Sequence, residues 1–111
     1  MGKLETYRQY IQKLLTQRAS FEQSEAGIET HLILDTERDY YQLLDIGWQQ
    51  EKQVFDCYLY LQIKNGKIWI YRDVTDRAIA DELRELGVPN EDIVLAFYTP
   101  QRRQFTNFAV C

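Results

Sequence analysis

The stretch VFDCYLYLQIKNGKIWIYRD at positions 54–73 decides the fold, because it encodes two strands joined by a tight turn. The Asn-Gly pair at 65–66 is typical of a type I′ hairpin, in which both turn residues adopt positive φ. A two-residue loop fixes the register of the flanking strands. The predicted pairs are Lys64 with Lys67, Ile63 with Ile68, Gln62 with Trp69, Leu61 with Ile70 and Tyr60 with Tyr71.

The hairpin has two different faces. Strict alternation along the first strand places one apolar set on the core side: Phe55, Cys57, Leu59, Leu61 and Ile63. The other face carries four aromatic residues, which we regard as a candidate interaction surface: Tyr58, Tyr60, Trp69 and Tyr71. Tyrosine and tryptophan are enriched at interface hot spots. Either another part of the chain covers this aromatic face, or it is an interface.

The chain before the hairpin predicts a helix and a second hairpin. Residues 3–18 place their apolar members on one helical face: Leu4, Tyr7, Ile11, Leu14 and Leu15. Residues 20–27 are polar and end in glycine, so we expect a loop. Residues 28–35 and 40–48 alternate as strands, and TERD at 36–39 between them predicts a turn.

The chain after the hairpin predicts a second helix and a last strand. Residues 75–89 have helical periodicity, with Thr75 as the expected N-cap and Gly87 as the C-terminal stop. Residues 93–98 predict a buried strand, and 100–103 a loop. The 111 residues suit a single domain over 1–111. We therefore expect an α+β fold: an antiparallel sheet of about five strands, an N-terminal helix, and a second helix between strands 4 and 5.

The charge balance argues against autonomous DNA binding. Thirteen basic residues face seventeen acidic ones, for a formal charge of −4. Non-specific DNA binding draws its free energy from cations that displace counterions from phosphates, and an acidic chain lacks that contribution. Arg102 and Arg103 could contact an anion or a partner's acidic group, or could simply be solvated.

No constellation of catalytic residues is evident in the sequence. Asp35, Glu37 and Asp39 could act as acid and base if burial raised one pKa, but their polar turn predicts that water keeps them ionised. His31 is the sole histidine and has no ligand partner at metal-binding spacing. We expect no catalytic, cofactor-binding or metal-binding residues, and no cofactor.

The two cysteines and the N-terminal residues suggest a location. Cys57 lies in an apolar strand and Cys111 is the last residue, so a buried side chain and a free thiol are expected, which suits a reducing cytoplasm. MGKLETYRQY lacks the apolar segment of a signal peptide, and no stretch is long and apolar enough to span a bilayer. The sequence thus predicts a cytoplasmic protein without membrane contact.

Four segments in order resemble one known family: DTERDYYQLLDIGW, NGKIWI, ELGVPNEDIVLAF and RRQFTNFAV. Together they are similar to the XisI family, the fdxN element excision controlling factors of cyanobacteria. The resemblance runs from LETYRQYIQKLL to the last residues. It implies a small cytoplasmic α+β protein with a role in excising a DNA element during heterocyst differentiation. In that system a separate recombinase performs the strand chemistry, and XisI acts with XisH.

The residues and the resemblance lead to one main hypothesis and two alternatives. The main hypothesis is a non-enzymatic accessory factor that acts through protein contacts, with an XisH-like partner or with itself. One alternative is a DNA-binding accessory of a site-specific recombinase, and the other is an unrecognised hydrolase or nuclease. The resemblance supplies no catalytic residues.

Overall fold

The computed structural model describes residues 2–21 and 26–111, without the side chain of Phe21, and the α+β prediction is confirmed. Its elements are, in chain order, α1 (Lys3–Phe21), β1 (Ile28–Asp35), β2 (Tyr40–Gln49), β3 (Lys52–Lys64), β4 (Lys67–Asp73), α2 (Ile79–Glu85), a 3₁₀ turn (Asn90–Asp92), β5 (Ile93–Leu95) and α3 (Pro100–Arg103). The loop predicted at 20–27 starts later than expected, because Ser20 and Phe21 continue the helix. Residues 22–25 of that prediction lie outside the described residues.

The strands follow one another across a single sheet in the order β1-β2-β3-β4-β5. The first four pair antiparallel, as expected. The fifth pairs parallel to β4, so the sheet is mixed, because α2 carries the chain back across the sheet before β5 begins. This last strand ends at Leu95 rather than at the predicted residue 98.

The central hairpin turns as its sequence dictates. Asn65 and Gly66 have φ of 55° and 76°, the left-handed values of a type I′ turn. Four of the five predicted pairs are present, and Ile63 faces Ile68 across the strands. The pairing of Tyr60 with Tyr71 was wrong. An irregularity in β4 after Ile70 leaves Tyr71 unpaired, and Tyr60 lies opposite Arg72 instead.

A second irregularity reverses the two faces of β3. Leu43 of β2 faces Leu59, whereas the next residue, Leu44, faces Cys57, so Tyr58 is the extra residue of a bulge. Tyr58 joins the hydrophobic core with 7% of its surface exposed. The alternation predicted for Phe55 and Cys57 was therefore wrong, since both lie on the face away from the core.

The core lies between one face of the sheet and the helices α1 and α2. The buried residues of the two helices are Tyr7, Ile11, Leu14, Leu15, Ile79, Ala80 and Leu83. They meet Tyr41, Leu43, Leu59, Leu61, Ile63, Ile68 and Ile70 of the sheet. Each fully buried apolar side chain of this size contributes about 1.5–3 kcal/mol. The helices thus leave the opposite face of the sheet to other roles.

Two local predictions in the C-terminal half were also wrong. Helix α2 begins at Ile79 rather than after Thr75, because the Asp73 carboxylate accepts the Ile79 backbone N–H at 2.8 Å and the Thr75 hydroxyl donates to Asp73. The loop predicted at 100–103 is the short helix α3. Thr99 caps it by accepting a hydrogen bond from the backbone N–H of Arg102 at 3.3 Å.

Candidate functional site

The face of β1–β4 that points away from α1 and α2 is the candidate site, and we call it the open face. The pairing register assigns its side chains. Leu43 and Leu59 are paired and point to the core. Leu44 therefore points away from the core, and so do the residues paired with Leu44 and every second residue from them along each strand. The apolar, aromatic and amide residues of the open face are Ile33, Tyr40, Gln42, Leu44, Ile46, Trp48, Gln53, Phe55, Cys57, Tyr60, Gln62, Trp69 and Tyr71, and its charged or titratable residues are Glu29, His31, Asp35, Lys64, Lys67 and Arg72.

The open face concentrates the exposed hydrophobic surface of the described structure. Nine large hydrophobic residues are exposed among the described residues, and five of the nine belong to the open face. These five, with their exposed fractions, are Ile33 (41%), Tyr40 (38%), Trp48 (56%), Phe55 (68%) and Tyr71 (36%). Single exposed hydrophobic residues are ordinary, but several on one sheet face make that face a candidate contact surface.

Aromatic rings form a connected row across β2, β3 and β4. The rings of Tyr40 and Tyr60 have centroids 6.5 Å apart, and Tyr71 meets Tyr60 edge to face at 5.8 Å. Tyr71 also stacks on Trp69 at 6.4 Å, and its hydroxyl donates to Gln62 Oε1 at 2.7 Å. Such ring pairs contribute roughly 0.5–1.5 kcal/mol beyond their burial, so the rings of the row stabilise one another.

The predicted aromatic surface is only partly the observed one. Tyr58 does not belong to it, because the bulge turns this side chain to the helix side. There Tyr58 lines a cleft of 450 Å³ whose other walls are α1, α2 and residues 74–77. Trp69 is 8% exposed, because Lys64 and Arg103 lie against its ring. Tyr60 and Tyr71 remain at the surface of the open face.

The sequence analysis missed the contributions of Ile33, Tyr40, Trp48 and Phe55. The alternation of Leu44, Ile46 and Trp48 in β2 did signal a second apolar face. Phe55 was assigned to the core because strict alternation in β3 was assumed, and a single bulge reverses that assignment. No residue type near Tyr58 indicates that the strand contains a bulge.

The two arginines predicted as anion or partner contacts have different environments in the C-terminal segment. Arg103 Nε donates to the carbonyl oxygen of Tyr98 at 3.1 Å, and its Nη1 donates to that of Val110 at 3.4 Å. Arg102 is exposed, with its guanidinium carbon 4.8 Å from the centre of the Tyr98 ring. Arg103 is thus occupied within the chain, whereas Arg102 faces solvent.

The carboxylates of the β1–β2 turn are structural. Arg8 of α1 donates to both oxygens of Asp39, at 2.8 and 3.1 Å, and the Tyr41 hydroxyl donates to Asp39 at 2.8 Å. The Arg8 hydrogen bonds hold the pKa of Asp39 below its usual value, against the opposing effect of burial. Arg8, rather than water as predicted, keeps this carboxylate ionised, so it is a poor general acid.

Asp35 closes the same turn from its first position. Its carboxylate accepts the backbone N–H groups of Arg38 at 3.0 Å and Glu37 at 3.1 Å. The bond from Arg38 lowers the pKa of Asp35. An aspartate that binds the backbone two and three residues ahead is the usual stabiliser of such turns. Glu37 is exposed, so the three carboxylates do not converge on a common point.

The remaining reactive groups are dispersed. His31 Nε2 lies 3.3 Å from the Glu29 carboxylate on the exposed side of β1. Burial raises the pKa of the Cys57 thiol, which disfavours the nucleophilic thiolate at neutral pH. Within residues 2–21 and 26–111, no three metal-binding side chains come together. Over the same residues, no helix is both long and apolar enough to cross a bilayer.

The geometry defines a class of protein: a small α+β domain with a mixed sheet, helices on one side of it and exposed aromatic residues on the other. The family model described as XisI protein matches residues 1–110. The chain therefore belongs to the XisI family.

Two crystal structures from Anabaena variabilis ATCC 29413 resemble this chain closely. One is a XisI-like protein with a TM-score of 0.95 and 45% identity, covering 98% of this chain and 100% of its own. The other is the fdxN element excision controlling factor XisI, with a TM-score of 0.90, 41% identity, and coverage of 99% and 100%. No curated protein matches the chain.

Proposed function

We propose that this protein is a non-enzymatic controlling factor for excision of a DNA element, and that it acts through protein contacts made by the open face. The observation that carries the proposal is the concentration of exposed apolar residues on that face, with Trp48 and Phe55 the most exposed. Large buried aromatic residues dominate the binding energy of interfaces. Membership of the XisI family supports the link to excision.

The proposed setting is the cytoplasm of a cyanobacterium during heterocyst differentiation. The proposed partners are an XisH-like protein, a second copy of the chain, or both. The dispersed reactive groups support a non-enzymatic role, since Asp39 is held by Arg8 and the Cys57 thiol is disfavoured as a nucleophile. A separate recombinase would then carry out the strand exchange.

Co-purification with the XisH-like protein tests this proposal. The unmodified chain is expected to retain that protein through gel filtration, and the double variant Trp48→Ser, Phe55→Ser is expected to lose it. The matched control is Phe97→Ser, Phe105→Ser, which removes two exposed phenylalanines outside β1–β4. Equal retention by both double variants would show that the open face is not the contact surface.

A further inference from the structure

We propose that a second copy of this chain pairs with the outer edge of β1, antiparallel and about a two-fold axis at His31, so that two five-stranded sheets become one. This proposal goes beyond the proposed function, because it uses the edge of the sheet and leaves the open face free for another partner. Three features carry it: the outward backbone groups of β1, the half-buried side chains beside them, and the charges along the strand.

Half of the backbone groups of β1 point away from the sheet. β1 is the end strand, and in the part of the chain that the structure describes it pairs with β2 alone. The Trp48 backbone N–H donates to the Gly27 carbonyl oxygen at 3.1 Å, so every second residue from Gly27 along β1 exchanges hydrogen bonds with β2. The residues that bond to β2 in this way are Glu29, His31, Ile33 and Asp35. The residues whose N–H and C=O groups point outward are Ile28, Thr30, Leu32 and Leu34.

The two edges of the sheet differ in how they are protected. At the far edge β5 has three residues, and Ala109 of the C-terminal segment bridges Val94 and donates to the Ile93 carbonyl oxygen at 2.9 Å. β1 has eight residues and pairs with β2 without a register shift. Proteins usually protect an edge of this length with proline, lysine, a bulge or a covering segment. The sequence and register of β1 contain no proline, lysine or bulge, so its row of alternating donors and acceptors suits an added strand.

The hydrophobic core is incomplete beside this edge. On the core side of the inner strands, Leu43 and Leu59 are fully buried. Leu32 and Leu34 lie on the same side of the sheet in β1 and pack against the core, but they are only half-buried. A second strand at the edge covers these two side chains and continues the core across the junction. Removal of that apolar surface from water then adds to the contribution of the backbone hydrogen bonds.

Charge selects one register for the added strand. An outward residue of one copy must lie opposite an outward residue of the other for their backbone groups to bond. Two such registers pair most of β1, one centred on His31 and the other on Leu32. The register centred on Leu32 places Glu29 opposite the partner's Asp35, and like charges directly opposite each other are destabilising. The register centred on His31 avoids that repulsion.

The register centred on His31 also bonds every outward residue. It places Ile28 opposite the partner's Leu34, and Thr30 opposite the partner's Leu32, so all four outward residues of each copy have a partner. Its two-fold axis is perpendicular to the sheet. The helices of both copies therefore lie on one side of the joined sheet, and the two open faces lie next to each other on the other side.

Sedimentation equilibrium of the purified full chain tests the association itself. The expected mass at micromolar concentration is twice the 13.3 kDa of the chain. Thr30→Pro should raise the dimer dissociation constant about tenfold or more, because proline removes an outward N–H and its ring obstructs the edge, while the bonds between β1 and β2 remain. Thr30→Val is the matched control and should leave the constant unchanged. It also removes the hydroxyl that donates to Asp45 at 2.9 Å, but it keeps the N–H. A single-chain mass at every concentration, or equal constants for the two variants, would overturn the proposal.

Disulfide formation tests the register without a proline variant. The native cysteines are first replaced, as Cys57→Ala and Cys111→Ala. In that background His31→Cys places two thiols opposite each other in a non-hydrogen-bonded pair, where Cα atoms are about 4.5 Å apart and a disulfide can form. Mild oxidation should therefore give a covalent dimer on a non-reducing gel.

Cysteines at the neighbouring positions are the controls for that cross-link. Glu29→Cys alone should not form a covalent dimer, because its two copies lie four positions apart, roughly 13 Å along the strands. A mixture of Glu29→Cys and Ile33→Cys chains should cross-link, since these residues lie opposite each other in the register. No bond through His31→Cys, or an equal yield through Glu29→Cys alone, would overturn the proposed pairing.

The edge pairing and the proposed function fail separately. A monomeric chain whose open-face variant loses the XisH-like protein would overturn the edge pairing and retain the proposed function. A monomeric chain whose Thr30→Pro variant loses that protein, while Thr30→Val retains it, would assign the edge to the XisH-like protein and overturn its assignment to a second copy. Circular dichroism of each variant establishes that it is folded before either measurement is interpreted.

Discussion

Asp39 is the residue on which the β1–β2 turn and helix α1 depend together. It has a left-handed φ of 61°, and only 13% of its side chain is exposed. The guanidinium of Arg8, 31 residues earlier, and the hydroxyl of Tyr41 both donate to it. Since hydrogen bonds to a charged group contribute more than neutral ones, this single side chain fixes the turn against the helix.

Replacement of Asp39 tests this role. Asp39→Asn should lower the free energy of unfolding at neutral pH by about 1–2 kcal/mol, because the amide loses the charge that Arg8 binds. Urea denaturation followed by circular dichroism measures the change. Glu37→Gln, an exposed carboxylate in the same turn, is the control and should be neutral. Equal destabilisation by both variants would contradict a specific role for Asp39.

The same contact predicts how stability depends on pH. The pKa of Asp39 is depressed in the folded state, whereas an aspartate in the unfolded chain titrates near ~3.9. Its contribution is therefore fully present above about pH 4 and is lost as the pH falls through the folded-state pKa. The stability difference between the unmodified chain and Asp39→Asn should shrink across that acidic range. A difference that stays constant down to pH 2.5 would refute the assignment.

Among the elements, the bulges in β3 and β4 decide which side chains reach the open face. Tyr58 and Tyr71 were predicted to share the aromatic face of the hairpin, yet Tyr58 is in the core and Tyr71 is at the surface. A bulge adds one residue to one strand and shifts every later side chain to the other face. The aromatic row is thus produced by the bulges as much as by composition.

Truncation of the two tyrosines distinguishes the bulged register from strict alternation. Tyr58→Ala should cost about 3 kcal/mol, because it leaves a cavity beneath the helices. Tyr71→Ala should cost about 1–2 kcal/mol, because it removes two ring pairs but leaves no buried cavity at a residue with 36% of its surface already exposed. Thermal and urea unfolding give both values. Similar costs for the two variants would mean that Tyr58 and Tyr71 occupy equivalent environments.

A glycine near the end of β2 allows a close approach that no other residue permits. A Cβ at Gly47 would lie 2.0 Å from the backbone oxygen of Gly27, opposite the start of β1. Gly47→Ala should therefore destabilise the protein by more than about 2 kcal/mol, because one backbone segment must move. Gly2→Ala, where a Cβ meets nothing within 4 Å, is the control. Hydrogen exchange should show the loss concentrated where β1 begins.

The elements that the sequence predicted well are those with a local cause. The Asn65-Gly66 turn, the strand 28–35 and the apolar stripe of α1 follow from adjacent residues alone. The start of α2 was missed because Asp73 caps the helix from six residues away. The site was half predicted. Tyr60, Trp69 and Tyr71 follow from the hairpin turn, whereas Phe55 requires the Tyr58 bulge, which depends on packing against helices distant in sequence.

For the molecule as a whole, its basic residues do not form an extended patch. Lys64, Arg72 and Arg103 lie at one margin of the open face, where Arg72 is paired with Asp56 at 3.6 Å and Arg103 donates to two backbone carbonyls. Three cations beside an apolar face, on a chain of charge −4, are too few for strong phosphate binding. This arrangement favours protein recognition over DNA recognition.

A mobility-shift assay tests whether the whole protein binds DNA. The chain alone should not retard duplex DNA at micromolar concentration, even near ~50 mM salt where electrostatic binding is strong. The variant Arg102→Ala, Arg103→Ala should behave like the unmodified chain. Retardation that weakens steeply with salt, and that the double variant lacks, would instead favour a DNA-binding accessory.

Tyr7 and Asp92 are hydrogen-bonded although 85 residues separate them, and the Lys3 ammonium lies 3.1 Å from the same carboxylate. On a translating ribosome the N-terminal helix emerges long before Asp92 has been added to the chain. The apolar side chains of α1 have no completed sheet to pack against until the four antiparallel strands have formed, and those strands pair through contacts between neighbouring segments. A chaperone that shields helical apolar stripes would therefore have its longest opportunity at residues 3–21, and a nascent chain stalled before residue 92 should be the form most readily cut by proteases.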